Sequence, residues 1–214
     1  MVSPMMNSSN PKLSKRLSCF AQFYTNQSII WDVGCDHGHL GLSFLNHSAS
    51  PMIHLVDPSQ SVITSLIKKV QDSDIPRTKV FHQKGQDIIL QESASHFIFI
   101  AGMGGPEIIK ILENLLPQMK ESDRVLISPH TKVLDVRSFL ISKGAWLHQE
   151  GVLCEGGIWY PYLLLGHNGE ICSLYSKKLF ETDEGKEYRL HLLEKLSKHQ
   201  DLQSQEYLNF LKQL

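Results

Sequence analysis

Between Asp32 and Gly41 the chain sets two carboxylates, two imidazoles and a thiol among glycines: Asp32, Cys35, Asp36, His37 and His39, spaced by Gly34, Gly38 and Gly41. Such side chains accept hydrogen bonds, hold cations or move protons. Glycines between them let the backbone approach a ligand closely, because they carry no side chain and adopt positive φ. The spacing is not the dinucleotide fingerprint. From Gly34 it reads G-C-D-H-G-H-L-G, with a carboxylate and two imidazoles where a diphosphate needs room and positive potential. A ligand with a cationic or neutral end is expected instead. No third ligand is placed beside His37 and His39, so no metal is expected. Cys35 has no paired base and reads as a small residue in a tight turn. Asp32 can fix the loop by accepting backbone amides while shaping a ligand site.

These residues need a strand before them, Ser28–Val33, and a short apolar helix after them starting near Leu40, whose first amides would face the ligand. A second strand, Met52–Asp57, ends in a carboxylate followed by Pro58, roughly 20 residues on. An acid there is where nucleoside-binding α/β folds hold a ribose diol. Asp57 is therefore the expected ribose ligand, and it can also cap the helix Ser59–Val70. Lys79–His82 reads as a third strand, followed by a loop in which Gln86 and Asp87 can reach an adenine edge. His96–Ile100 is fully apolar after its first residue, a strand buried on both faces that opens into Ala101-Gly102-Met103-Gly104-Gly105 and then a helix. Met103 either lines the cofactor or fills a gap.

If the first and fourth strands are parallel, both loops emerge at one carboxyl edge, where such sheets bind ligands. A fifth strand, Arg124–Ser128, ends in Pro129-His130, the proline holding His130 toward the same edge. A helix Val133–Lys143, carrying Arg137, follows. Trp146–Val152 and Trp159–Leu165 read as two final strands around Glu155-Gly156-Gly157, paired antiparallel.

With 214 residues, 42% of them hydrophobic, the chain suits one α/β domain with a small appendage. The 21 basic and 22 acidic side chains nearly cancel, so a nucleic-acid partner would have to be met by a local patch. One such bias exists: Lys12, Lys15 and Arg16 lie in an N-terminal stretch without acids, at the start of a helix with Leu13, Leu17, Phe20, Ala21 and Tyr24 at helical spacing. Four scattered cysteines give neither a zinc cluster nor a disulfide framework and fit a reducing cytoplasm. No apolar run approaches the roughly 20 residues of a membrane span. The expected division is a disordered stretch 1–11, an α/β domain 12–169 with its N-terminal helix, and a helical extension 170–214. In that extension leucines recur at helical spacing among matched charges, as one broken helix or a helical pair.

Five alternations of strand and helix, then a hairpin, describe a doubly wound, mostly parallel seven-stranded sheet whose last strand is inserted antiparallel. With D-x-G-x-D-x-G and a ribose acid, this is the arrangement of Rossmann-like class I S-adenosylmethionine methyltransferases. Leu13-Ser14-Lys15-Arg16-Leu17, Asp32-Val33-Gly34-Cys35-Asp36-His37, Ile100-Ala101-Gly102-Met103-Gly104-Gly105 and Val136-Arg137-Ser138-Phe139-Leu140 resemble the TrmK family of bacterial tRNA (adenine-N1)-methyltransferases, which act on nucleotide 22. The resemblance runs from about residue 12 to 165. It implies that Asp32, Gly34, Cys35, His37, Asp57, Gly102 and Met103 surround S-adenosylmethionine, with Asp36 as the catalytic carboxylate and a helical tail that helps to hold tRNA; Pro58 and Ala101, beside them in the chain, are expected cofactor contacts as well. The chain departs from the family pattern at Gly38-His39-Leu40-Gly41, Gly85-Gln86, Ser128-Pro129-His130 and Pro161, and these changes cluster where the substrate base would sit.

Methyl transfer from a sulfonium needs a nucleophile held in line, a proximity effect worth roughly 7–11 kcal/mol. An adenine ring nitrogen already has a free lone pair, and the product ring gains positive charge. A carboxylate accepting from the exocyclic amine favours that charge. Asp36 is the candidate, with His130 as a second acceptor or stacking surface, and Lys12, Lys15, Arg16 and Arg137 as phosphate contacts. The rival functions are methylation of another RNA, a small molecule or a protein, and a cofactor- or RNA-binding module without chemistry. Nicotinamide-dependent oxidoreduction is disfavoured by the loop spacing.

Overall fold

The computed structural model describes residues 13–214. The expected disorder of residues 1–11 and the assignment of Lys12 to tRNA lie outside the described residues.

Eight strands form one sheet: β1 (Ile29–Val33), β2 (Met52–Asp57), β3 (Thr78–His82), β4 (His96–Met103), β5 (Arg124–Pro129), β6 (Trp146–Glu155), β7 (Ile158–Leu165) and β8 (Glu170–Ile171). Their spatial order is β3-β2-β1-β4-β5-β7-β6-β8. Strands β1 to β5 pair in parallel, and β7 runs antiparallel between β5 and β6. The doubly wound sheet with an inserted antiparallel strand is as the sequence implied. The eighth strand is the addition, two exposed residues pairing with the start of β6 that are too short to carry a periodic signal.

The alternation along each strand shows why the sheet is covered twice. Ile29, Trp31 and Val33 join Ile98, Ile100, Val125 and Ile127 on one face, beneath α4 (Gly105–Leu115) and α5 (Val133–Ser142). Ile30 joins Phe97, Phe99 and Leu126 on the other, beneath α1 (Lys15–Ala21), α2 (His39–Leu42) and α3 (Gln60–Asp72). A side-chain period of two with apolar residues at both phases has no solvent face, so helices must pack on both sides.

The helix after β1 is short and begins at His39, as the sequence implied. The four residues of α2 run straight into turns, Ser43 Oγ donating back to Leu40 O at 2.6 Å while Phe44 still packs into the core with Leu40 and Leu42. The tail is a helical pair, α6 (Asp183–Leu196) and α7 (Leu202–Lys212), capped by Thr182 and Asp201, whose side chains accept from Gly185 and Ser204 amides. Tyr188, Leu192 and Leu211 pack with Leu179 and Phe180 on Val152 of β6. No helix among the described residues is long and apolar enough to cross a membrane.

Candidate active site

Register places the two loops side by side. Val33 of β1 pairs with Ile100 of β4, so the chain leaves both strands at one rim, Gly34 onward beside Ala101 onward. Gly34 and Cys35 donate backbone N–H groups to Val56 O at 2.8 and 3.2 Å, which fastens the first loop to β2. The loops after β4 and β5 are also joined: His130 N–H donates to Met103 O at 3.0 Å and Gly105 N–H to Thr131 O at 3.0 Å. Between these tied loops lies a cleft of about 250 Å³.

The positions of two glycines explain its shape. Gly34 has φ +69°, and a Cβ there would stand 2.7 Å from Met103 Cε, so the turn needs a residue without a side chain. Gly102 has φ +89°, with nothing within 4 Å of its missing Cβ, so its backbone borders open space.

Asp32 lies on the α1–α3 face and is buried. Its Oδ2 accepts from Gly41 N–H at 2.8 Å. Burial pushes its carboxyl up to about 7, the Gly41 amide acting against that and the charge of Asp57 adding to it. Burial, with Asp32 and Asp57 beside it, also pushes the Cys35 thiol well up. A protonated, buried thiol is no nucleophile, in line with the reading of Cys35 as a small turn residue. Asp57 closes β2; its Oδ1 accepts from Ser59 N–H at 2.9 Å and its Oδ2 from Asp36 N–H at 3.3 Å. Asp36 itself has φ +49°, a conformation uncommon outside glycine, asparagine and aspartate. Its side chain is 69% exposed at the cleft, 3.5 Å from His37 Nε2.

Of the sequence-expected residues, Asp32, Gly34, Cys35, Asp36, His37, Ala101, Gly102 and His130 line this one cleft. Met103 sits beneath it, against Gly34 and the core, which favours the gap-filling role. Asp57 and the exposed Pro58 lie one strand along the rim. Gln86 and Asp87 follow Gly85, whose missing Cβ would meet Val33 Cγ1 at 2.8 Å, so their short turn stands beside the end of β1. His37 and His39 have ring centroids 5.5 Å apart, and no group of three metal-ligating side chains occurs among the described residues.

Two assignments change. Arg137 was expected to reach a phosphate, yet it is buried: its Nη1 donates to Glu150 Oε2 at 2.6 Å and its Nε to Ser173 O at 2.7 Å. It clamps α5 to β6 and the segment beyond β8, out of reach of any RNA. Arg16 does not stand at an exposed helix start. Its guanidinium lies 4.6 Å over the Tyr160 ring, and its Nη1 is 3.2 Å from His130 Nε2, at the cleft wall. Lys15 remains exposed, its Nζ donating to Cys154 O at 3.4 Å.

The Arg16–Tyr160–His130 assembly was not foreseen, because it joins α1, β7 and the loop after β5, which are far apart in sequence. The basic residue in Leu13-Ser14-Lys15-Arg16-Leu17 was the only signal, and it pointed outward. Burial and the nearby Arg16 charge both push the His130 imidazole below its ordinary value.

Comparison with known proteins agrees with this geometry. A family model described as a methyltransferase domain matches residues 13–163. The tRNA (adenine(22)-N(1))-methyltransferase of Bacillus subtilis is 29% identical over 155 residues, 72% of this chain and 64% of the relative, so the match spans under two thirds of that protein. The structure of M. capricolum TrmK in complex with S-adenosyl-homocysteine superposes with a TM-score of 0.77 at 19% identity, covering 94% of this chain and 96% of the other. The B. subtilis M1A22 tRNA methyltransferase TrmK superposes at 0.70 with 23% identity, covering 95% of each. The resemblance to the TrmK family read from the sequence is thus matched by named relatives. The sheet order, the paired loops at one rim and the match over most of the chain carry one conclusion: this protein belongs to the methyltransferase domain family.

Proposed function

We propose that the chain transfers a methyl group from S-adenosylmethionine to the N1 nitrogen of an adenine in tRNA, at nucleotide 22, and acts in the cytoplasm. The observation that carries this reading is the exposed Asp36 carboxylate, beside His37, in the lining of a cleft formed by two neighbouring sheet-edge loops. Similarity to a relative of that name over 72% of the chain supports the choice of substrate.

The residues present suit the cofactor. Gly34 and Gly102 bare the backbone where a ligand would lie along the rim, and the Gly102 side opens onto empty space. Asp57, at the end of β2, offers carboxylate oxygens beside the cleft for a ribose diol, and the turn carrying Gln86 and Asp87 stands next along the edge for an adenine. Asp32, Cys35, His37, Ala101 and Met103 shape the pocket or its floor. The cofactor supplies an electrophilic methyl group. The chain's own part is to hold a base in line behind it and exclude water, which is where most of the acceleration of such a transfer originates.

Asp36 accepts from the exocyclic amine of the adenine, so that positive charge developing on the ring is met by a fixed negative one. Its backbone is held for this by Asp57, and its left-handed φ aims the side chain away from the strand it follows. His130 lines the same cleft as a surface for the base. A base within folded tRNA has to leave its stack, at a cost of a few kcal/mol, which phosphate contacts from residues such as Lys15 offset.

The test is incubation of the purified protein with methyl-labelled cofactor and tRNA that lacks the modification, followed by mapping of the labelled nucleotide. Label at N1 of adenine 22, transferred more slowly as salt is raised, is the expected result. Label on another nucleotide, or a rate indifferent to salt, would overturn the substrate assignment.

A further inference from the structure

Arg16 is more than a cation near an RNA site. A guanidinium carries only donors, so the 3.2 Å contact between its Nη1 and His130 Nε2 requires that Nε2 accept. The ring proton then resides on Nδ1, which makes no hydrogen bond to a described residue. Arg16 is itself well fixed. Its backbone N–H donates to Glu155 Oε1 at 3.0 Å, its guanidinium lies over Tyr160, and its Nε is buried without a partner, so it has little freedom to turn outward. The Tyr160 ring also lies 5.4 Å from that of His130 at an interplanar angle of 60°, so Arg16, Tyr160 and His130 form one contact cluster beside the cleft. His130 is held from behind as well, through its backbone bond to Met103 O in the loop after β4.

We propose that Arg16 is a positioning residue for the transfer reaction: by donating to His130 Nε2 it holds that imidazole as the Nδ1–H tautomer, so the ring meets an incoming nucleotide as a hydrogen-bond donor. This rests on the tRNA reading above and refines it. His130 cannot act as the second acceptor for an exocyclic amine while Arg16 occupies its only free lone pair. Its partner on the substrate is an acceptor, a purine ring nitrogen other than N1 or a sugar or phosphate oxygen. The two sides of the cleft then discriminate in opposite senses, Asp36 accepting and His130 donating. A base that presents an acceptor in place of the amine meets a carboxylate it cannot bond.

The groups that face His130 set the sign of its response to pH. Arg16 from α1 disfavours a proton on Nε2. Glu155 and Tyr160 of the final hairpin engage Arg16, and Asp36, His37 and His39 line the same cleft. Arg16 is the nearest charge, so its removal lets His130 protonate at higher pH.

The test is nitrogen-detected NMR of the imidazoles in the full-length protein, with His130→Asn identifying the signal. Wild type should show protonated Nδ1 and bare Nε2 at neutral pH. In Arg16→Met the ring should pass largely to the Nε2–H form preferred by free imidazole, and its titration should move up in pH. The acid limb of the pH dependence of kcat/KM for tRNA should move with it. Transfer should slow by tenfold or more, with cofactor affinity within about twofold, while Arg16→Lys, which keeps a donor, should restore part of the Nδ1–H signal. An unchanged tautomer in a folded Arg16→Met protein would overturn the proposal, and so would a loss of cofactor affinity that accounts for all the lost activity. If the tautomer switches as expected but wild-type protein leaves tRNA unlabelled, the hold of Arg16 on His130 stands and the tRNA assignment fails.

Discussion

Asp57 Oδ2 accepts the backbone N–H of Asp36 at 3.3 Å, linking two aspartates 21 residues apart across the rim of the sheet. One carboxylate thereby sets the backbone of the other while keeping its second oxygen on the Ser59 amide at the head of α3. The two acids occupy neighbouring places and opposite conditions. Asp57 is buried, each of its oxygens accepting one loop amide and keeping a further lone pair for a ribose, whereas Asp36 is exposed and paired with His37.

This separation predicts different losses. Asp36→Ala should reduce methyl transfer by about 10²-fold or more, the scale on which removal of one charge-stabilising group acts. Cofactor affinity should stay within several-fold. Asp57→Ala should weaken both transfer and cofactor binding, because the ribose ligand and the brace of the Asp36 loop go together. Calorimetry with the cofactor beside single-turnover transfer separates the two, and an Asp36→Ala protein that still transfers would remove that residue from the mechanism.

Gly34→Ala places a methyl group 2.7 Å from Met103 Cε, in a backbone conformation with φ +69°. The left-handed conformation alone costs roughly 1–2 kcal/mol for a residue with a Cβ. The methionine end can move, so truncating it should relieve the collision and leave that conformational cost. Urea unfolding should therefore rank wild type first, with Gly34→Ala/Met103→Ala no more than slightly below Gly34→Ala. If the single variant matches wild type, the turn does not need glycine.

How much of this was legible in the sequence follows from the range over which each signal acts. The parallel order of β1 and β4 was readable because Ile29–Val33 and Phe97–Ile100 are apolar at both phases of a strand. Asp57 was readable because it ends a strand, and Asp36 because it lies in the glycine-rich loop that follows one. The partners of Arg16 and Arg137 were not, since a charge within a helical pattern says nothing about the residue it meets 114 or 13 positions away. The buried pair of Trp31 and His96 was equally hidden: Trp31 Nε1 donates to His96 Nδ1 at 3.0 Å, so the histidine at the start of β4 is a core acceptor and its Nε2 donates to Gln91 O. Neighbouring strands in a sheet are set by register, and register is not written in either segment alone.

Two buried groups should shape the pH dependence of stability in opposite directions. His54, packed against Trp31 and Phe81 with neither ring nitrogen bonded, is pushed down by burial to about 4 from the ordinary 6.5. Between those values the unfolded chain binds the extra proton, so the contribution is full above 6.5 and is lost as pH falls toward 4. Asp32 is pushed up to about 7 from 3.8, so over that range the folded chain holds the proton and stability falls as pH rises. Relative to wild type, His54→Leu should therefore gain progressively as pH falls from 6.5 toward 4, and Asp32→Asn, which can still accept from Gly41, should gain most above pH 7. Urea midpoints taken across pH 4.5 to 8 would show this divergence, and curves parallel to wild type would contradict it.

The Arg137–Glu150 pair carries the last prediction. Both side chains are only 4% exposed, and the 2.6 Å bond joins α5 to β6 where the tail begins. Breaking such a pair leaves one charge buried without compensation, at a cost of about 3–5 kcal/mol, whereas replacing both partners with apolar side chains is often nearly neutral. Arg137→Met should therefore unfold at much lower urea than wild type, and Arg137→Met/Glu150→Leu should recover most of the loss. In the double variant, which stays folded, the salt dependence of tRNA methylation should match wild type, because a buried guanidinium releases no counterions from RNA. A shallower slope in that variant would return Arg137 to the RNA-binding surface.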